Sequence, residues 1–198
     1  MAWAPDYLTT ADLKAYVRIT DTVDDAQIAL AVTAASRAVD RATNRQFGLV
    51  AAPAARKYTA RWDKEICRYV VDIDDLMTVV GLTVTGENGA IDAFDKQPGN
   101  AEFKSFPWTR FVVKPESTTL PTLKEDGVTV TARYGWTAVP VAVQQATLLQ
   151  ASRFFTRRQA PYGVAGSPEL GSELRLLARV DADVEVVLGP YRRWWGAV

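Results

Sequence analysis

Histidine is missing from the 198 residues of this chain. Its absence excludes Ser-His-Asp and Cys-His nucleophilic sites, His-ligated zinc and the usual proton shuttle near neutral pH. Any enzyme chemistry would have to rest on carboxylate, lysine or tyrosine groups. Only one cysteine is present, Cys67. It cannot form an internal disulfide, which suits a thiol-reducing compartment. No apolar run approaches the roughly 18 residues of a membrane span. The opening MAWAPDYLTT has neither the basic nor the apolar region of a signal peptide.

An excess of one charge is also lacking, since 23 Lys and Arg balance 23 Asp and Glu. The basic stripe of a nucleic-acid binder is therefore not expected. The charge is nonetheless uneven. Asp63 to Glu102 carries nine acids and three bases, a net of −6, and each of the other stretches, 1–62, 103–138 and 139–198, nets +2.

Three helical patterns and a fourth short one are present. LTTADLKAYVR (8–18) reads as a short helix with Thr9 as N-cap and Asp12 as its capping-box partner. In residues 24–46 Asp24 is placed as the cap, and Ile28, Val32, Ala35, Val39 and Ala42 form one face at helical period. Its many alanines let another helix approach closely, within a tight bundle or against a neighbouring subunit. For the second case the candidate contacts are Ala31, Ala34, Arg37, Ala38 and Arg41. Residues 140–159 give a helix carrying Ala142, Ala146, Leu149, Phe154 and Phe155, and Ala182–Leu188 a last short one stopped by Gly189-Pro190.

Between Arg56 and Trp136 the period changes to two. RKYTARW, ICRYVVDI, MTVVGLTVTG, RFVVKP and GVTVTARYGW predict five or six strands, with ENG, QPGN and LKEDG as turns in a hairpin meander. The APYGVAGSPELGSELR stretch reads as a long loop. The fold class is thus α+β. A small helical bundle from both ends of the chain (1–55 and 137–198) holds an inserted antiparallel β-rich segment (56–136), with an extended C-terminal tail.

The chemistry-bearing clusters are few. Asp72, Asp74 and Asp75 lack the ligand spacing and glycine of a calcium loop and read as a solvated strand end, so no metal and no cofactor is expected. Cys67 falls in a strand pattern and reads as a small core residue. FFTRR and YRRWW mix aromatic and basic residues, a combination that can stack on single-stranded nucleic acid. For FFTRR the plainer reading is a core face followed by helix-end charges. For YRRWW two readings stay open: the indoles fold back onto the bundle, or they anchor a partner, since Trp, Tyr and Arg dominate interface hot spots. No catalytic residue is assigned.

One stretch, LTTADLKAYVRITDTVDDAQIALAVTAASRAVDRATNRQF, resembles the N-terminal signature of phage head-to-tail connector (adaptor, or neck) proteins. The matching positions are Leu8, Thr9, Asp12, Leu13 and Lys14, then Asp24, Asp25, Ala34, Ala35, Val39, Thr43, Arg45 and Phe47. Tyr134–Gly166 and Arg179–Arg193 resemble versions from phages of actinobacteria. The blocks cover about half the chain, and the β-segment is the variable part. The resemblance implies a structural virion protein rather than an enzyme, made in the host bacterial cytoplasm and assembled in the neck. It implies a ring, commonly of twelve subunits, beneath the portal protein, which extends the DNA channel and docks a stopper or tail-completion protein. DNA would pass without sequence-specific binding, and no membrane would be involved. The C-terminal arm would bind portal through Tyr191, Arg192, Arg193, Trp194 and Trp195. The rival from a different class is a nucleic-acid-binding regulatory protein using the Arg/aromatic segments.

Overall fold

A computed structural model of the chain describes residues 3–157, 164–165, 174–175 and 182–193. The chain is mixed α and β and divides into two compact units. Met1–Phe47 and Val139–Val198 form one, and Gly48–Ala138, which lies between them in sequence, forms the other.

The first unit contains α1 (Thr10–Val17), α2 (Asp25–Thr43), α3 (Val141–Arg157) and α4 (Ala182–Leu188). At α1 the expected cap is present. Thr9 Oγ1 accepts the Asp12 amide at 3.2 Å, and Asp12 Oδ2 accepts the Thr9 amide at 2.8 Å. At α2, Asp24 occupies the N-cap position, but its side chain makes no cap hydrogen bond. The first turn is held instead to α1 by the Lys14–Asp25 ion pair at 2.7 Å. Ile28, Val32, Ala35 and Val39 are buried, as their spacing predicts.

Leu13 of α1, Ile28, Ala31, Val32 and Ala35 of α2, and Ala151 and Phe155 of α3 share one core. On α3 the buried residues are Val143, Ala146, Thr147, Ala151 and Phe155. Of the residues the sequence places on this helix, Ala146 and Phe155 are buried and Ala142, Leu149 and Phe154 half-buried. The buried positions follow the i, i+3, i+4 phase, which includes Thr147. That threonine is tolerated in the core because its hydroxyl donates to the Val143 carbonyl at 2.7 Å. Val184 and Leu188 of α4 are buried. Within the stretch read as a long loop, Val164–Ala165 and Leu174–Arg175 pair antiparallel; the rest of it lies outside the described residues.

The second unit has β1 (Ala54–Tyr58), β2 (Ala60–Asp63), β3 (Arg68–Leu76), β4 (Thr83–Gly86), β5 (Gly89–Ala90), β6 (Phe94–Gln97), β7 (Trp108–Val113) and β8 (Val128–Ala132). They form two antiparallel four-stranded sheets, in the orders β1-β8-β4-β5 and β2-β3-β7-β6. RKYTARW, read as one strand, is two. The chain breaks at Thr59, β1 joins the first sheet through β8, and β2 joins the second through β3. The short polar β5 and β6 carry no apolar alternation and escape sequence reading. The connection is not a plain meander, because β8 returns to lie between β1 and β4. Both sheets face one core, with Val71, Ile73 and Phe111 from one and Val84, Val128 and Val130 from the other.

The loop after β7 is clamped by acids. The Asp92 carboxylate accepts the Thr118 amide at 2.8 Å and the Thr118 hydroxyl at 2.6 Å, and Glu87 accepts Thr122 Oγ1 at 2.9 Å and pairs with Lys124. The Thr118 hydroxyl and amide favour the charged form of Asp92 and lower its pKa from 3.8 to about 2. These bonds are therefore complete above the ordinary carboxylate value and lost as the pH falls through the lowered one. The Thr118 amide resonance should titrate with a midpoint near 2, and the titration should vanish in Asp92→Asn. A midpoint at the unperturbed 3.8 would remove the clamp.

Candidate interaction surface

Helix α2 ends where the sequence reads Thr43-Asn44-Arg45-Gln46-Phe47. Asn44 is the C-cap, in the left-handed conformation with φ of 52°. The last carbonyls of a helix have no partner within it. Here one of them, that of Thr43, accepts the Arg193 amide at 2.8 Å. Asn44 Nδ2 donates to the Arg193 carbonyl at 3.3 Å, and Arg45 Nε to the Tyr191 carbonyl at 2.8 Å. The ring of Tyr191 meets Phe47 edge-on at 5.9 Å, and Phe47 meets Tyr7 in the same way at 5.6 Å.

The base of this row is a polar cluster built around the buried Tyr7. The Tyr7 hydroxyl accepts the Phe47 amide at 2.9 Å and donates to Asp40, which also pairs with Arg37 at 3.2 Å. Burial pushes the Tyr7 hydroxyl well above the ordinary tyrosine range, and the Asp40 hydrogen bond raises it further. The phenol stays protonated and serves as a fixed donor to Asp40 and acceptor for Phe47.

The C-terminal residues are placed differently from expectation. Gly189-Pro190 ends α4, but the chain continues as a 3₁₀ turn, Gly189–Tyr191, closed by the Arg192 amide on the Gly189 carbonyl at 3.2 Å. An extended arm does not begin at Tyr191. The chain is tied to α2 through Arg193, because the open end of α2 offers the Thr43 carbonyl as acceptor and the Asn44 and Arg45 side chains as donors. Arg192 pairs with Glu185 at 3.3 Å. Trp194 and Trp195 lie outside the described residues.

The α2 candidates separate by burial. Ala31 is buried in the helical core, so its methyl is committed there. Ala34 and Arg41 are exposed, and Arg37 and Ala38 half-buried. With Leu30, which is 70% exposed, Ala34, Ala38 and Arg41 follow one stripe of the helix at i, i+4, i+8 and i+11. An open groove of about 560 Å³ is lined by residues of α1 and α3, with Asp12, Tyr16, Val141 and Gln145 among its walls.

The other clusters resolve into local structure. Asp72 is held by Arg61 at 3.3 Å and Arg110 at 2.6 Å, Asp74 by Arg56 at 2.6 Å, and the buried Asp75 by the Trp136 indole at 2.9 Å. Among the described residues no group of three or more His, Cys, Asp or Glu is placed to hold a metal ion, and no helix is long and apolar enough to cross a membrane. Cys67 is corrected from core to surface: it is exposed, at φ of 51° in the turn between β2 and β3. In FFTRR, Phe155 is buried, Phe154 half-buried and Arg157 exposed, and Arg158 lies outside the described residues.

The acidic stretch does not survive as a patch. Asp72, Asp74, Glu87 and Asp95 pair with Arg61, Arg110, Arg56, Lys124 and Lys114, all from outside Asp63–Glu102. Gly48–Ala138 as a whole holds eleven bases and twelve acids, a net of −1. Within β3, Asp72 finds its bases on the adjacent strands, Arg61 of β2 and Arg110 of β7.

No protein-family model matches the chain, and no curated protein does. Its fold is shared by chains in solved structures, among them the following two. One is a chain in the neck of the empty GTA particle, computed with C6 symmetry, at a TM-score of 0.52 and 18% identity over 100% of this chain and 96% of that one. The other is a chain in the neck of the native GTA particle, computed with C12 symmetry, at a TM-score of 0.53 and 20% identity over the same shares.

Proposed function

We propose that this chain is a structural protein of a phage-type virion neck. It acts as the head-to-tail adaptor that forms a ring beneath the portal, extends the DNA channel and connects the capsid to the stopper or tail. The observation that carries this reading is the fold, shared over the whole chain with chains from two GTA necks. The connector-like signature over Leu8–Phe47 points the same way. The C6 and C12 symmetry of those necks fits a ring of six or twelve copies.

A ring grows by head-to-tail contact between two different patches on each subunit. The α2 stripe of exposed Ala34 and Arg41 with half-buried Ala38, and Arg37 at its edge, is one such patch, and Ala31 is not part of it. Small side chains allow a neighbouring backbone to approach. Many weak arm-to-portal contacts repeated around the ring then give a tight assembly. A chain with net charge 0 has no overall excess of positive charge to hold phosphates, which suits DNA that must pass rather than bind.

The test is the mass of the purified chain with and without the portal protein of its own particle. The expected result is a stoichiometric adaptor–portal complex, with no mobility shift on DNA at low or moderate salt. Failure to associate with portal, together with a salt-sensitive DNA shift, would replace the adaptor with the nucleic-acid-binding reading.

A further inference from the structure

We infer that Asn44 and Arg45 are positioning residues that latch the C-terminal segment to the end of α2 and fix the point from which the arm leaves the helical unit. The inference rests on the arm-to-portal reading above. Three hydrogen bonds form the latch: Arg193 N to Thr43 O at 2.8 Å, Asn44 Nδ2 to Arg193 O at 3.3 Å, and Arg45 Nε to Tyr191 O at 2.8 Å. All three address the backbone of the C-terminal segment. They set the path of the chain and leave the choice of side chains at 191–193 open.

The latch follows from the way α2 ends. Asn44 takes the left-handed conformation that stops a helix. That turn leaves the Thr43 carbonyl without an intrahelical partner and places the Asn44 amide and the Arg45 guanidinium beside it. The segment that fills the carbonyl is thereby clasped by its neighbours. Phe47 completes the seat, fully buried and in edge contact with Tyr191 at 5.9 Å. Each of Thr43, Asn44, Arg45 and Phe47 therefore touches the last described residues of the chain. This gives a physical reason for the TNRQF run that composition alone does not.

The consequence concerns binding. Five residues follow Arg193, and a latched segment presents them from a fixed origin. Without the latch only the Tyr191–Phe47 ring contact and the Arg192–Glu185 ion pair hold residues beyond α4. As these open, the anchored position falls back to Leu188 of α4, buried at 1% exposure, and ten residues follow it. Doubling the tether lowers its effective concentration about threefold, and residues 189–193 must also be ordered on binding, so the expected loss of portal affinity is about tenfold.

The experiment uses the full chain carrying Asn44→Gly and Arg45→Ala. Glycine suits the left-handed position, so the end of α2 is kept. Amide exchange at Arg193 should rise at least about tenfold. Exchange at Ile28, bonded within the first turn of α2, should stay unchanged, as should the melting temperature. The affinity for portal should fall about tenfold. Unchanged Arg193 exchange, or an affinity within about twofold of the parent chain, would overturn the latch. A chain ending at Arg193 separates the two readings. If it loses portal while the double variant binds like the parent, the latch alone fails. If it binds portal as well as the full chain does, the arm reading fails and the latch inference goes with it.

Discussion

Replacing Trp194 and Trp195 together with alanine is expected to weaken portal binding about a thousandfold and to leave the melting temperature unchanged. Each buried interface tryptophan typically costs about 2 kcal/mol or more on truncation. Two of them give about 4 kcal/mol, and every 1.4 kcal/mol is about tenfold. The structure sharpens where the cut between folding and binding should fall. Through Arg193 the chain is part of the helical unit, since its amide fills the Thr43 carbonyl and its own carbonyl accepts from Asn44. Deleting Tyr191–Val198 would therefore remove a helix cap and an aromatic contact along with the arm. The double alanine variant leaves both in place and isolates the indoles. If it instead lowers the melting temperature and binds portal like the parent, the tryptophans serve the protein's own bundle.

The helical unit was legible because its signals are local. The Thr9–Asp12 capping box lies within four residues, and the α2 face repeats at one period over four turns. The β unit was less legible because strand partners are remote. Nothing in RKYTARW shows that Lys57 pairs with Thr129 while Arg61 pairs with Val70. The same remoteness misled the charge reading, as Asp72 finds Arg110 across β3 and β7, 38 positions away. Cys67 was misjudged because a turn at φ of 51° interrupts a run whose composition still reads as strand. At the candidate site Tyr191 and the paired arginines stood out by composition. Asn44 and Arg45 did not, since a helix-ending asparagine signals only a stop. Its second task, holding a segment 149 positions away, appears once the two ends of the chain meet.

The largest stability effect should come from Gly135→Ala. Gly135 sits at φ of +106°, and an added Cβ would lie 2.0 Å from the Gly48 carbonyl oxygen, a backbone atom that cannot swing aside. That close approach is part of a crossing on which several bonds depend. The Gly135 amide donates to the Asp75 carbonyl at 2.7 Å, and the Trp136 amide to the Gly48 carbonyl at 2.8 Å. The fully buried Trp136 indole donates to the Asp75 carboxylate at 2.9 Å. Moving Gly48 away to admit a methyl breaks the Trp136 amide bond, and moving Gly135 breaks its bond to Asp75. Strain of about 1–3 kcal/mol adds to one or two lost buried hydrogen bonds at about 1 kcal/mol each. The sum is about 4 kcal/mol. At about 2–4 °C per kcal/mol for a chain of this size, melting should fall by about 8–16 °C. Gly99→Ala is the control, because its Cβ would meet nothing within 4 Å, and it should melt with the parent. A Gly135→Ala protein that also melts within about 2 °C of the parent would mean that the Gly48 carbonyl yields freely and that the crossing does not hold the β unit together.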